Sequence, residues 1–335
     1  MDLVADFALT FATQLQKPTL AFLLGGMLVA ALGSKLTIPD AIYRFIVFML
    51  LMRIGLNAGM EIREANFSEM LLPALIALLV GCMIVLVGRF TLAALPGVRT
   101  EDGIATAGLF GAVSASTLAA AMVVLEEEGV VFEAWVPALY PFMDISALVL
   151  AIVLAGVHVQ KQRGGSDARV RLWPIFVSSL RGSALSALLL GILLGLVARP
   201  ESVFEAFYDP LFRGLLSILM LVLGIEAWSR LAELRSVAHW YAIYALVAPV
   251  FHGLITFGLG YIAHVTTGFS PGGVIILSVI AASNSDISGP PTLRAGIPTA
   301  NPSSYIGSST AIGTPIAIAV GIPFYLALGQ FVFDL

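Results

Sequence analysis

Apolar residues fill this chain in blocks of roughly 18 to 26, the length an α-helix needs to cross the hydrocarbon of a bilayer. The blocks run over residues 18–34, 39–62, 69–94, 103–125 and 133–158, and again over 179–198, 209–231, 236–264, 272–297 and 304–331. Short charged stretches separate them, so the pattern predicts an all-α polytopic membrane protein with about ten transmembrane helices. Two blocks are interrupted. Ala281-Ala-Ser-Asn-Ser-Asp-Ile-Ser-Gly-Pro-Pro-Thr292 places hydroxyls, an amide, a carboxylate and two prolines where hydrocarbon is expected, and Gly111-Ala-Val-Ser-Ala-Ser-Thr117 has the same character. Proline removes a backbone donor, and serine and asparagine side chains compete for backbone partners, so a continuous helix is not expected there. Irregular backbone persists at membrane depth only when it is packed in protein or lines a watery cavity, which marks both breaks as functional.

The two halves of the pattern match once shifted. Gly55-Leu-Asn-Ala overlays Gly224-Ile-Glu-Ala and Ser114-Ala-Ser116 overlays Ser283-Asn-Ser285, both at a separation of 169 residues. One register joining two distant matches argues for duplication, with residues 1–159 as a first five-helix repeat, 160–172 as a linker and 173–335 as a second repeat. Five is odd, so the second repeat enters the membrane inverted, the plan of secondary transporters whose site forms where broken helices meet. Lys161, Arg163, Arg169 and Arg171 make the linker the most basic stretch and place it in the cytoplasm, which puts both termini outside. Arg89 and Arg99 then fall inside and Glu126-Glu-Glu128 outside, while Arg199, outside, runs against the rule.

Composition sharpens the class. With 59% hydrophobic and 11% charged residues and a mean hydropathy of +0.98, the chain has too little polar surface to cover a soluble globule. No separate soluble domain fits between the spans, so no catalytic residue, no enzyme activity and no cofactor beyond a coupling ion is expected. The single cysteine, Cys82, rules out a disulfide framework. The net charge of -4 is scattered and no basic stripe is interleaved with aromatics, which excludes a nucleic-acid partner. Residues 1–16, beginning Met-Asp-Leu-Val, lack the basic start of a signal peptide and read as an amphipathic lead-in.

Facing breaks in inverted repeats present free N–H groups and helix dipoles to a common point, a ready site for a small anion. Ser114, Ala115 and Ser116 from the first break and Ser283, Asn284 and Ser285 from the second are its candidate residues. Asp286 is the most informative, since a carboxylate near mid-membrane costs about 2.5 to 3.5 kcal/mol and marks an ion path. Its cationic partner is expected to be sodium, a hard ion suited to carboxylate, hydroxyl and carbonyl oxygens, with Ser285, Ser288 and Thr117 completing the shell. Asp144, in Tyr140-Pro-Phe-Met-Asp144, is a second candidate for the cation and equally a candidate helix cap. Asn57 and Glu226 read as polar interhelical contacts, and His252 as a hydrogen-bonded packing residue.

Several long motifs are distinctive: Gly108-Leu-Phe-Gly-Ala-Val-Ser-Ala-Ser-Thr117, Ala138-Leu-Tyr-Pro-Phe-Met-Asp144, Phe207-Tyr-Asp-Pro-Leu-Phe-Arg-Gly-Leu-Leu-Ser217, Ser285-Asp-Ile-Ser-Gly-Pro-Pro-Thr-Leu-Arg-Ala-Gly296 and Ile306-Gly-Ser-Ser-Thr-Ala-Ile-Gly-Thr-Pro315. On these the sequence resembles, nearly end to end, the SbtA-type sodium-dependent bicarbonate transporters of cyanobacteria. The resemblance implies uptake of bicarbonate with Na⁺ across the plasma membrane as part of a carbon concentrating mechanism. It further implies a homotrimer in which a core (roughly 69–158 and 236–331) moves against a gate (roughly 18–62 and 179–231). A PII-like regulatory protein, SbtB, is implied as a partner on the cytoplasmic face. The competing reading is a sodium symporter of another small anion or carboxylate, although no arginine fork for a larger substrate is evident.

Overall fold

The computed structural model describes residues 18–64, 67–162, 183–231, 239–287 and 289–335, together with Trp173, Val177, Leu180 and Arg181. The N-terminal lead-in, Arg163, Arg169 and Arg171 of the basic linker, and the site candidate Ser288 lie outside the described residues. Every regular element among the described residues is helical. We number them α1 (Pro18–Ala31), α2 (Asp40–Glu64), α3 (Phe67–Phe90), α4 (Thr100–Gly111), α5 (Ala115–Glu127) and α6 (Tyr140–Gln162). The second half contributes α7 (Ser183–Val197), α8 (Asp209–Leu231), α9 (His239–Thr267), α10 (Pro271–Ala282), α11 (Gly289–Gly296) and α12 (Pro302–Phe333).

Among the described residues, seven helical stretches are long and apolar enough to cross a membrane. Three of the expected spans appear instead as shorter apolar helices: Ala21–Ala31, Ser183–Val197 and Pro271–Ala282. The 15 residues of α7 cover about 22 Å, less than the ~30 Å of bilayer hydrocarbon. α10 is short because the chain breaks at Ser283, as the polar sequence predicts. The expected span 209–231 begins earlier, since a π-helical turn, Phe204–Tyr208, carries the helix back to Glu201.

Local chemistry fixes the helix starts. Ser270 and Asn301 cap α10 and α12 by accepting the N–H groups of Gly273 (2.9 Å) and Ser303 (3.1 Å), each ahead of a proline that needs no donor partner. Acidic residues of the first half hold both caps from outside. Glu133 accepts the Ser270 N–H at 2.8 Å, and Asp102 accepts the Asn301 N–H at 2.7 Å.

Packing between the first two helices of each half is set by glycine. A Cβ built on Gly26 of α1 falls 2.1 Å from the Leu221 carbonyl oxygen of α8, and one on Gly224 of α8 falls 2.0 Å from that of Leu23. Likewise a Cβ built on Gly55 or Gly59 of α2 falls 2.9 Å from the Cα of Gly191 or Gly195 of α7. Backbones approach this closely only without side chains, so α1 crosses α8 and α2 crosses α7 on small-residue contacts. Beside these crossings, buried Arg53 of α2 donates to Asp209 at 2.6 Å, reaches Glu126 of α5 at 3.7 Å and lies 4.3 Å over the Phe212 ring.

Candidate functional site

Both polar stretches are breaks. α4 ends at Gly111 and α5 starts at Ala115, while α10 ends at Ala282 and α11 starts at Gly289. The breaks touch. The N–H of Ser114 donates to Ser283 Oγ at 3.0 Å, a contact between residues 169 apart, and the N–H of Ser285 donates to the Leu109 carbonyl at 2.9 Å. Ser114, Ser116, Thr117, Ser283, Asn284, Ser285 and Asp144 are all buried, and so is Ala115.

Each break spends its serines on its own ends. Ser114 caps α5, its Oγ accepting the Thr117 N–H at 3.2 Å, and its hydroxyl lies 2.8 Å from that of Ser116. Ser116 Oγ in turn donates to Asp286 Oδ2 at 3.2 Å, which carries the first break to the carboxylate of the second. Ser285 Oγ accepts the Gly289 N–H at 2.8 Å, and Ser283 Oγ donates to the Ile280 carbonyl at 2.7 Å. Asp144 does not cap a helix, since it lies one turn inside α6. Its Oδ1 accepts the Val113 N–H at 3.0 Å, pairing a buried donor that the first break frees.

The α12 helix supplies residues that the polar-break argument passed over. Asn284 Oδ1 accepts from Ser309 Oγ at 2.5 Å and from Thr314 Oγ1 at 2.8 Å. A π-helical turn, Ser309–Gly313, separates these two side chains, and such widened turns recur at functional sites. Gly313 is part of the arrangement: a Cβ there would lie 2.6 Å from Asn284 Nδ2 and 2.8 Å from the Phe110 ring. The signal was present in the sequence as Ser308-Ser309-Thr310 and Thr314 within an otherwise apolar span.

Four buried side-chain atoms at the two breaks have no hydrogen-bond partner: Asn284 Nδ2, Asp286 Oδ1, Asp144 Oδ2 and Thr117 Oγ1. Buried polar atoms are normally paired, and each one left unpaired costs about 1–3 kcal/mol. Thr117 shows the cause. Threonines within helices return their hydroxyl to the carbonyl four residues earlier, as Thr106, Thr256 and Thr310 do here at 2.7–2.8 Å. For Thr117 that residue is Val113, which lies outside the helix across the break, so the hydroxyl stays open.

Asp286 also lines a cavity of about 420 Å³ bordered by Thr310, Thr314, Glu226, Asp40 and Arg44, which gives the break a route outward. Among the described residues no cluster of three or more His, Cys, Asp or Glu side chains could hold a metal ion, so a cation here must draw on hydroxyls and carbonyls besides its carboxylates.

A comparison with curated proteins gives no match. The family model described as the Na⁺-dependent bicarbonate transporter superfamily matches residues 18–330, from the start of α1 into the last turn of α12 and across both breaks. The chain therefore belongs to the Na⁺-dependent bicarbonate transporter superfamily, a family of membrane transporters and not of enzymes.

Proposed function

We propose that this protein is a sodium-coupled bicarbonate symporter whose anion and cation sites are the two touching breaks. The four unpartnered atoms carry the reading. Asn284 Nδ2 is a donor in want of an acceptor, as an oxyanion supplies, while Asp286 Oδ1 and Asp144 Oδ2 want a cation or a proton. Thr117 Oγ1 adds a neutral oxygen of the kind a hard cation takes. Bicarbonate is held by the Ser114–Ser116 and Ser283–Ser285 segments, and Na⁺ by Asp286 with Thr117, Asp144 and Ser288.

The pairing of charges explains the coupling. Moving one anion into a cell at about 100 mV, negative inside, costs about 2.3 kcal/mol, and one accompanying Na⁺ cancels that cost. Inside the protein each ion lowers the cost of burying the other.

The inverted five-helix repeat is supported by the Ser114–Ser283 hydrogen bond and by the glycine contacts at Gly55 and Gly224, each pair 169 residues apart. Transport then proceeds by alternating access, the core built from α3–α6 and α9–α12 moving against the gate of α1, α2, α7 and α8. We further propose a homotrimer in the plasma membrane with both termini outside, serving a carbon concentrating mechanism and docking the PII-like SbtB on the basic cytoplasmic face.

Purified protein in liposomes, given labelled inorganic carbon at fixed pH with an inward Na⁺ or K⁺ gradient, tests the central claim. Accumulation against a gradient with Na⁺ alone is expected. Equal uptake with K⁺ refutes coupling, and competition by a short carboxylate in place of bicarbonate identifies a different substrate.

A further inference from the structure

Away from the breaks, buried atoms without a hydrogen-bond partner include His252 Nδ1, where the sequence predicts a bonded histidine, and Arg53 Nη1. The arginine has a charge within reach. Its Nε and Nη2 are spent within the proposed gate, both donating to Asp209 Oδ1 of α8, at 3.1 and 2.6 Å. Nη1 reaches across to the proposed core instead, where Glu126 Oε1, in the last turn of α5, lies 3.7 Å away. Arg213 of α8 takes the other oxygen, with Nη2 4.0 Å from Oε2. One core carboxylate is thus bracketed by two gate arginines. The contacts are unequal: those within the gate are hydrogen bonds, whereas those across the seam are longer than a hydrogen bond. A core that moves leaves Arg53 behind on Asp209 and the Phe212 ring, and gives up only the two weak contacts. The same seam is open at its other end. There Asp40 and Arg44 of α2 and Glu226 of α8 face Asp286 and Thr310 of the core across the cavity of about 420 Å³. Arg53 lies about 14 Å along α2 from Arg44, and Arg213 about 20 Å along α8 from Glu226. The gap between gate and core is therefore entered from one side and pinned on the other. The charge pattern that puts the termini outside sets Asp40 toward the cytoplasm and Glu126 outside.

We propose that Glu126, held by Arg53 and Arg213, is the outer latch of the transport cycle. Paired, it shuts the route from outside to the breaks; released, it lets gate and core part at that end. The proposal rests on the gate, core and topology proposed above. A neighbouring ion pair supplies the control, since Arg63 and Glu201 join α2 to the turn ahead of α8 and lie wholly within the gate.

The test uses the full chain with Cys82, its single cysteine, changed to alanine, and one reporter cysteine at a time. Ser183→Cys lines the cavity, and Met122→Cys is one turn inward of Glu126 on the same helix face, at a position 1% exposed. A sulfonated maleimide, which does not cross membranes, is applied to intact cells and to inverted vesicles, and labelling rates are read by mass shift. Ser183→Cys is expected to react in inverted vesicles, and Met122→Cys to resist the reagent in intact cells. Adding Glu126→Gln should raise Met122→Cys labelling from outside by about fivefold or more, the population shift that about 1 kcal/mol produces, and lower Ser183→Cys labelling from inside. Arg213→Gln, at a side chain 65% exposed, should act in the same direction, and Arg63→Gln should change neither rate. Unfolding exposes both reporters together, so opposite movement separates release of a latch from damage. Ser183→Cys reacting only in intact cells overturns the outer placement and the proposed orientation with it. Unchanged rates, rates that rise together, or an equal response to Arg63→Gln overturn the latch in either orientation.

Discussion

Asn284→Asp is the sharpest perturbation of the proposed anion site, because it changes one group and preserves the rest. Ser309 and Thr314 donate to Oδ1, which an aspartate retains, so both hydroxyls stay paired. Only Nδ2, the unpartnered donor beside Gly313, becomes an oxygen. A hydrogen bond to a charged group contributes about 1.5–3 kcal/mol, and 1.4 kcal/mol is a factor of ten, so losing this donor should weaken bicarbonate by roughly ten- to a hundredfold. Repulsion between the new carboxylate and the anion adds to that loss. The same charge attracts Na⁺ to the neighbourhood of Asp286, so at saturating bicarbonate the sodium concentration for half-maximal uptake should stay level or fall. Opposite movement of the two constants separates a lost anion contact from general damage, which worsens both. Initial rates of labelled inorganic-carbon uptake in liposomes, over a grid of bicarbonate and Na⁺ concentrations, measure the two constants together. An unchanged bicarbonate dependence in a folded variant would place the anion elsewhere.

Three further outcomes are expected. Asp286→Asn keeps the shape but removes the charge, and should raise the Na⁺ needed for half-maximal uptake at least about tenfold, or about 1.4 kcal/mol; because linkage is reciprocal, apparent bicarbonate affinity should fall at fixed Na⁺ and recover as Na⁺ saturates. Ser283→Leu leaves the buried Ser114 N–H without its acceptor and overfills the break, so uptake should vanish while membrane expression, read by immunoblot, persists. Gly224→Ala forces a methyl to 2.0 Å from the Leu23 carbonyl oxygen, a backbone atom that moves only with its helix, and should cost at least ~1–3 kcal/mol, seen as a lower melting temperature in detergent.

The breaks were legible because polarity inside an apolar block is costly and therefore conspicuous. Ser114, Asn284 and Asp286 could be picked out on that ground alone. Ser309 and Thr314 were not, since hydroxyls in an apolar helix ordinarily satisfy themselves on their own backbone, and only the meeting of α10 and α12 brings these two onto Asn284. Asp144 left two roles open in sequence; its partner, Val113, lies 31 residues away and is freed only because the first break exists. Arg53 escaped notice for the same reason. An arginine in an apolar block reads as an exception until Asp209, 156 residues on, is seen beneath it. Distance along the chain hides such pairs, whereas the 169-residue register carried across it.

The glycine crossings bear on how the protein is made. α1 finds its close-packed partner in α8, and α2 in α7, so neither seam can form within the first half of the chain. While the ribosome is still short of Ser183, the notched faces at Gly26, Gly55 and Gly59 lie against lipid, with the close contacts they are shaped for unmade. Insertion and assembly are thus separate events in time, and the second half acts as a template that completes the first. A nascent chain truncated in the linker is an incomplete fold and a natural substrate for membrane quality control. The two halves made as separate polypeptides carry complementary notches, and should recover activity only when synthesised together.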